Sequence, residues 1–479
     1  MARLNSRRFS FRWTNRSAFV AGSLFLTVAF HYSYVKYLSH LWSYFGFIPI
    51  TASILSLVLT YVLAVAPATW MPADFKRPTL VLYWSIYAIT YIPSIMVLTF
   101  AVPEGDPPRF ALQLALFAGL QIIGAAYWLP RFRIRREQLN VPSFVVCMVL
   151  FGAGLFAMLL YQFGFDLSFA PLDDPYGVRT EANVIGGTLI GYTAAWIPSV
   201  VVGILLAMGY VRRNLMLVLA GIGLSAYLYM AVASRAYLTP IVITAAIFAV
   251  TIGNRKRLGP AMLLGFAATI VLMTATYTEG LGEGLQTTQG FGPLPIAQVM
   301  ILFRTFGNAG LMTLQYDNFI ASHGTTHWSH VRGVNLLIEY PFQEPLAREV
   351  GIDRFGAYDI NAVGHFFAYD GIAAAGIPGV IAISVVCMLA FWALDSVSAR
   401  LDKLFVGLFL CYQITNLNNT GLFTTLLGHG LILQMLVLYV MPRRLAPDAE
   451  TPARPAGSSA LGGPPDDVGD AENEPQQQS

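Results

Sequence analysis

The stretch from Pro293 to Leu314, PLPIAQVMILFRTFGNAGLMTL, carries a single charge, Arg304, in 22 residues. A helix crossing a bilayer core needs about 20 apolar residues, so this run is almost long and apolar enough to span. Its reading decides the fold, because one additional crossing would turn every later connection to the opposite side. Twelve other apolar runs surround it. Nine precede it: Ala18 to Val35, Gly46 to Ala66, Thr79 to Ala101, Phe110 to Leu129, Pro142 to Phe163, Ile185 to Tyr210, Leu215 to Ala233, Tyr237 to Gly253 and Pro260 to Tyr277. Three follow: Ile372 to Leu394, Leu404 to Thr415 with its extension, and Leu422 to Met441. The chain of 479 residues is 56% hydrophobic and 11% charged, against roughly 25% charged in an ordinary soluble domain. These features exclude a soluble enzyme and predict an all-α polytopic membrane protein with about 12 transmembrane helices.

The basic residues choose between the two readings of the 293–314 run. With the amino terminus cytoplasmic and the run not crossing, 21 of the 29 lysines and arginines fall on the cytoplasmic side. The remaining eight are Lys36, Arg109, Arg179, Arg235, Arg304, Arg332, Arg348 and Arg354. Such a bias orients helices. A crossing would instead carry Arg400, Lys403, Arg443 and Arg444 outside, so the run is expected to be a re-entrant or interfacial helix on the external face. The organisation that follows is a basic cytoplasmic terminus over 1–17, nine membrane helices over 18–277, a large structured external loop over 278–371, three more helices over 372–444, and a disordered cytoplasmic tail over 445–479. A loop that long is usually functional. The first span reads as an anchor, since no small-x-small cleavage site follows it.

Chemistry-bearing side chains gather on the external side. All seven histidines lie in external loops or in spans, and three of them, His323, His327 and His330, fall within eight residues. Histidine is the side chain whose ordinary pKa lies nearest neutrality. No carboxylate completes a recognised ligand set among them, and Gly324 with two threonines argues against a helix, so no metal site is expected. A polar substrate site is the favoured reading over a merely solvated loop. Candidate proton-transfer groups are His327, His330, His365, Glu339 and Asp359, with Arg332, Tyr340, Arg348 and Arg354 beside them as substrate contacts. The loop Asp173 to Asn183, with Arg179 and Tyr176, has the carboxylates, amide and aromatic of a carbohydrate site, and also the ordinary composition of a surface turn. Arg235, in a tight turn between spans, and Arg304, inside the nearly apolar run, are the costliest charges. Each would cost roughly 2.5 to 3.5 kcal/mol in a membrane core, so it should face a partner or an anion unless it snorkels.

The Ser234-Arg235 turn, the large late loop, and Asn361-Ala-Val-Gly-His365 leading through Tyr369-Asp370-Gly371 to Gly376 and Gly379 together resemble the Wzy-type oligosaccharide repeat-unit polymerases. The resemblance implies polymerisation of lipid-linked O-antigen or exopolysaccharide units on the outer face of a bacterial plasma membrane, with loop arginines and a histidine involved. A sugar hydroxyl would attack the anomeric carbon of a glycan joined to polyprenyl diphosphate. Arginines would stabilise the departing diphosphate, Arg235 and Arg304 foremost, and no cofactor would be needed. The partners implied are the lipid-linked oligosaccharide, the bilayer and other polysaccharide-assembly proteins such as a chain-length regulator, with no nucleic acid. Some family members place ten residues between an arginine and a glycine in two external loops. Here Arg179 and Gly191 have eleven between them, and Arg354 and Gly364 have nine. An O-antigen ligase and a lipid-linked-substrate flippase are the alternatives; a transporter would place more ionisable residues at mid-membrane.

Overall fold

The computed structural model describes residues 14–105, 109–132, 138–164, 191–232, 234–277, 293–356 and 360–446. Arg179 and Asp359 lie outside the described residues, as do the side chain of Arg235 and the chain before 14 and after 446. In chain order the main helices are α1 (Asn15–Leu41), α2 (Ile54–Thr69), α3 (Leu80–Phe100), α4 (Phe110–Ala125), α5 (Val141–Phe163), α6 (Gly191–Val211), α7 (Leu215–Val232), α8 (Thr239–Gly253) and α9 (Arg255–Ala275). Then come α10 (Pro293–Gln298), α11 (Asn308–His323), α12 (Leu346–Phe355), α13 (Phe367–Val397), α14 (Lys403–Phe409), α15 (Cys411–Asn419) and α16 (Leu431–Val440).

Seven of these, α1, α3, α5, α6, α7, α9 and α13, are long and apolar enough to cross a membrane. Five of the twelve expected spans therefore fall on shorter helices, and the breaks have local causes. The second apolar run begins as extended chain through Pro49 and becomes helical only at Ile54, where the Ser53 hydroxyl accepts the Ser56 N–H. The last run is interrupted at Gly430, whose φ of +76° suits glycine and ends a helix. Side chains around α3 are buried on every side, as expected of a helix that is apolar all round. Polar glue holds it: Thr90 donates to Asn418 at 2.6 Å, and Gln113, on α4, donates to the Ile95 carbonyl at 2.7 Å. A smaller apolar cluster joins α5, α6 and α7 with Tyr237.

Alternate connections meet at opposite ends of the bundle. At one end Arg77 donates to the carbonyls of Ala126 (2.9 Å) and Leu129 (2.7 Å), Arg212 to that of Leu445 (2.9 Å), and Arg255 pairs with Asp402 at 3.0 Å. At the other, Tyr34 donates to Ile48 O, Thr51 to Val102 O, and Tyr37 packs edge-on against Tyr277. The 293–323 segment is continuously helical, with π-helical Val299–Gly307 between α10 and α11. Gln298 donates to Met273 O and Thr276 near the second end, the π segment packs Phe306 against Phe266 within α9, and Asp317 returns to Arg109. Both ends of the segment thus approach the same end of the bundle. Gly310 permits the close crossing of α11 over α3: a Cβ there would lie 2.6 Å from the Pro93 carbonyl oxygen.

Candidate functional site

At the end where α11 returns, a cavity of about 510 Å³ opens between the connection after α1, the end of α3, the start of α4, and α11 and α12. Gln315, Asn318 and Ser322 of α11 face it, at the three- and four-residue spacings that align side chains on one helix face. Two arginines complete the polar wall. Arg109, just before α4, pairs with Asp317 and donates to Asn318 Oδ1 at 2.6 Å. Arg354, from the last turn of α12, donates through Nε to Gln315 Oε1 at 2.8 Å, with a guanidinium nitrogen 3.8 Å from Asp353. Gln315 in turn donates to the Phe45 carbonyl at 3.1 Å. Ile48, Val102, Pro103 and Leu314 supply apolar lining. A concave site with an apolar floor and a few convergent polar groups is the usual form of a small-molecule site.

His323 stands next to this wall. Its ring stacks on Phe319 (centroids 4.6 Å apart), its Nδ1 lies 3.2 Å from Phe319 O, and its Nε2 lies 3.7 Å from Asp353 Oδ1. Both side chains of this imidazole–carboxylate pair are partly open to solvent.

A second imidazole–carboxylate pair is closed. Gly376 takes φ +60°, and together with Ala375 it breaks α13, which frees the carbonyls of Ala373 and Ala374 to accept the N–H groups of Thr326 and His327, both at 2.9 Å. His327 and Trp328 follow at positive φ, 48° and 62°, values costly for non-glycine residues, and the turn drives His330 inward. There Nδ1 meets Thr326 Oγ1 at 2.7 Å and Nε2 lies 3.4 Å from Asp370 Oδ1, with the two side chains 2% and 1% exposed. Asp370 also accepts the Phe423 N–H at 3.2 Å. Its carboxylate rests over Gly421, where a Cβ would stand 2.8 Å from both oxygens. The pair pins the loop to the bundle.

The remaining sequence candidates are dispersed. His365 is wholly buried, its Nε2 2.9 Å from Thr313 Oγ1 and 3.1 Å from Ala309 O, and burial pushes its pKa down to about 3. It is neutral and closed to an acceptor. His327 and Glu339 are exposed. Tyr340 donates to Glu344 O at 2.9 Å, Arg348 pairs with Glu344 at 3.1 Å on the surface, and Arg332 reaches the Tyr192 hydroxyl at 3.4 Å. Arg304 is exposed and lies over the Phe303 ring at 5.7 Å, in an aromatic ledge where Phe303 stacks on Trp42 (4.1 Å) and Phe45 meets Phe355. The turn opened by Arg235 belongs instead with the smaller cluster around Tyr237.

Among the described residues no group of three or more His, Cys, Asp or Glu side chains is gathered as a metal site. Arg109, Gln315, Asn318 and the pairing of His323 with Asp353 emerge from the fold; in the sequence His323 stands only as one of three clustered histidines. The 315, 318, 322 spacing was the available signal. Comparison with protein-family models, curated proteins and solved structures returns no match.

Proposed function

We propose that this chain is a membrane glycosyltransferase that polymerises polyprenyl-diphosphate-linked oligosaccharide repeat units on the outer face of a bacterial plasma membrane. The observation that carries the reading is the cavity at the α11 end, where Arg109 and Arg354 stand beside amide and hydroxyl groups over an apolar floor. Guanidinium groups suit a diphosphate, which they can hold through two parallel N–H donors. Amides and a hydroxyl suit sugar hydroxyls, and Ile48, Val102 and Pro103 give the same cavity apolar surface for the lipid end of the substrate.

In this reading both termini are cytoplasmic, the shorter helices complete about twelve crossings, and the 278–371 segment lies outside, with α10 and α11 dipping into the membrane and returning. The acceptor hydroxyl oxygen bonds to the anomeric carbon as the bond from that carbon to the diphosphate oxygen breaks. The diphosphate leaves on its polyprenyl chain, its charge met by Arg354 and Arg109. The hydroxyl proton passes to the His323–Asp353 pair.

The test uses the purified chain in liposomes, supplied with lipid-linked repeat units accumulated by a strain that lacks it. A ladder of lengthened lipid-linked glycans is the expected product. Transfer only to a lipid A core acceptor would make the chain a ligase, and no transfer to either acceptor would overturn the glycosyltransferase reading.

A further inference from the structure

The basic end of the bundle holds a second cavity, of about 210 Å³, that the proposed reaction does not use. Tyr210, Val211 and Arg213 enclose it from the end of α6 and the turn beyond, Phe248 and Ile252 from α8, and Arg255 from the start of α9. Its two walls differ in kind. One is apolar and open: Ile252 is 66% exposed, and the Tyr210 and Phe248 rings lie 4.9 Å apart. The other is cationic. Arg213 is held in the left-handed region at φ +53° by a tight turn, in which its own N–H donates to Tyr210 O (3.2 Å) and that of Asn214 to Gly209 O (2.8 Å).

The carboxylate beside the cavity is shared. Asp402 accepts the N–H groups of Leu404 (2.7 Å) and Phe405 (3.1 Å) at the start of α14 as well as the Arg255 guanidinium (3.0 Å). One carboxylate thus answers a helix terminus and one arginine while a second arginine lines the same cavity, and the local balance favours an anion. An anion that also covers Ile252 and Val211 must bring hydrocarbon with it.

We infer that this cavity is a binding site for the phosphate headgroup of an anionic phospholipid, whose phosphodiester lies between Arg213 and Arg255 and whose acyl chains run down the Val211 and Ile252 wall. The inference does not depend on the glycan chemistry. It rests on the long apolar character of α6 and on two guanidinium groups lining one cavity, Arg213 beyond the end of α6 and Arg255 at the start of α9.

Native mass spectrometry of the detergent-purified chain tests it, with dioleoyl phosphatidylglycerol, dioleoyl phosphatidylcholine and inorganic phosphate as the three probes. Wild type should retain phosphatidylglycerol over phosphatidylcholine and should hold no inorganic phosphate at the same concentration. Arg213→Gly suits the left-handed backbone and removes the charge, so it should fold normally and lose phosphatidylglycerol affinity roughly tenfold, the usual scale of a charge-assisted hydrogen bond. Arg213→Lys should recover part of that loss. Equal retention of the two lipids, or unchanged retention in Arg213→Gly, would overturn the inference. Retention of inorganic phosphate without lipid preference would assign the cavity to free phosphate and overturn it as well.

Discussion

The two ends of the bundle use arginine differently. At the basic end Arg16 donates to the Thr69 carbonyl, Arg77 to those of Ala126 and Leu129, and Arg212 to that of Leu445. These carbonyls belong to helix ends and the connections after them, where backbone acceptors lack intrahelical partners, so the guanidinium groups there act as caps. At the cavity end Arg109 and Arg354 bond to side chains, Asp317, Asn318 and Gln315, that could turn to another partner. A cap is needed for the fold itself; an arginine on exchangeable side chains is available to a ligand. Arginines that cap carbonyls and arginines held by exchangeable side chains therefore carry opposite expectations.

Removing a cap should have the largest effect. Arg77→Ala uncaps two carbonyls and leaves Asp395, whose side chain is 0% exposed, without its guanidinium neighbour at 3.7 Å. The expected loss is on the order of 3 to 5 kcal/mol, read as a sharp fall in detergent melting temperature and in yield of folded protein. An unchanged melting temperature would erase the distinction between the ends. His323→Ala, at the cavity end, should instead leave melting nearly unchanged and slow glycan transfer roughly 10²-fold, the usual scale for losing a general base. Equal rates for wild type and variant would remove the His323–Asp353 pair from the mechanism.

A third prediction concerns pH. His365 stays neutral in the fold, with its pKa lowered from 6.5 to about 3, whereas the unfolded chain takes up a proton below 6.5. Stability from this residue is thus full above pH 6.5 and declines as pH falls toward 3, by at most roughly 1.4 kcal/mol per pH unit. Melting curves from pH 7 to 5 should show a steeper decline for wild type than for His365→Asn; parallel declines would contradict the assignment. The smallest effect belongs to Arg348→Ala. Its pairing with Glu344 is exposed, so stability should change by less than about 1 kcal/mol, with glycan transfer at the wild-type rate. A large loss of transfer would move the substrate away from the cavity and toward this face.

Much of this arrangement is legible in the sequence, and the rest is hidden for physical reasons. Apolar runs mark the helices because membrane burial demands them. The 293–314 run is legible as a helix, but a period-2 or period-3.6 pattern cannot report that the helix continues to His323. Gln315, Asn318 and Ser322 read as the polar tail of an apolar stretch, and Arg109 as one residue in a short connection. Their convergence needs α11 to cross closely over α3 at Gly310, which no local pattern encodes. His330 and His365 stand side by side as candidates in the sequence, though His365 sits among Val363, Gly364, Phe366 and Phe367. The Phe366 and Phe367 that follow His365 were the sign that it would be buried, and the pairing of His330 with Asp370 depends on the break at Gly376.

The central claim is that Arg109 and Arg354 of the cavity end serve a lipid-linked glycan while the carbonyl-capping Arg16, Arg77 and Arg212 of the basic end serve the fold. It is tested most directly by measuring polymer synthesis in liposomes for Arg354→Ala, with its melting temperature measured in parallel. The account predicts a fall of roughly 10²- to 10³-fold in rate, the scale of losing one stabiliser of a leaving group's charge, at a melting temperature close to that of wild type, with Arg354→Lys only partly restoring the rate. Polymer of wild-type length and yield from a normally folded Arg354→Ala variant would contradict it.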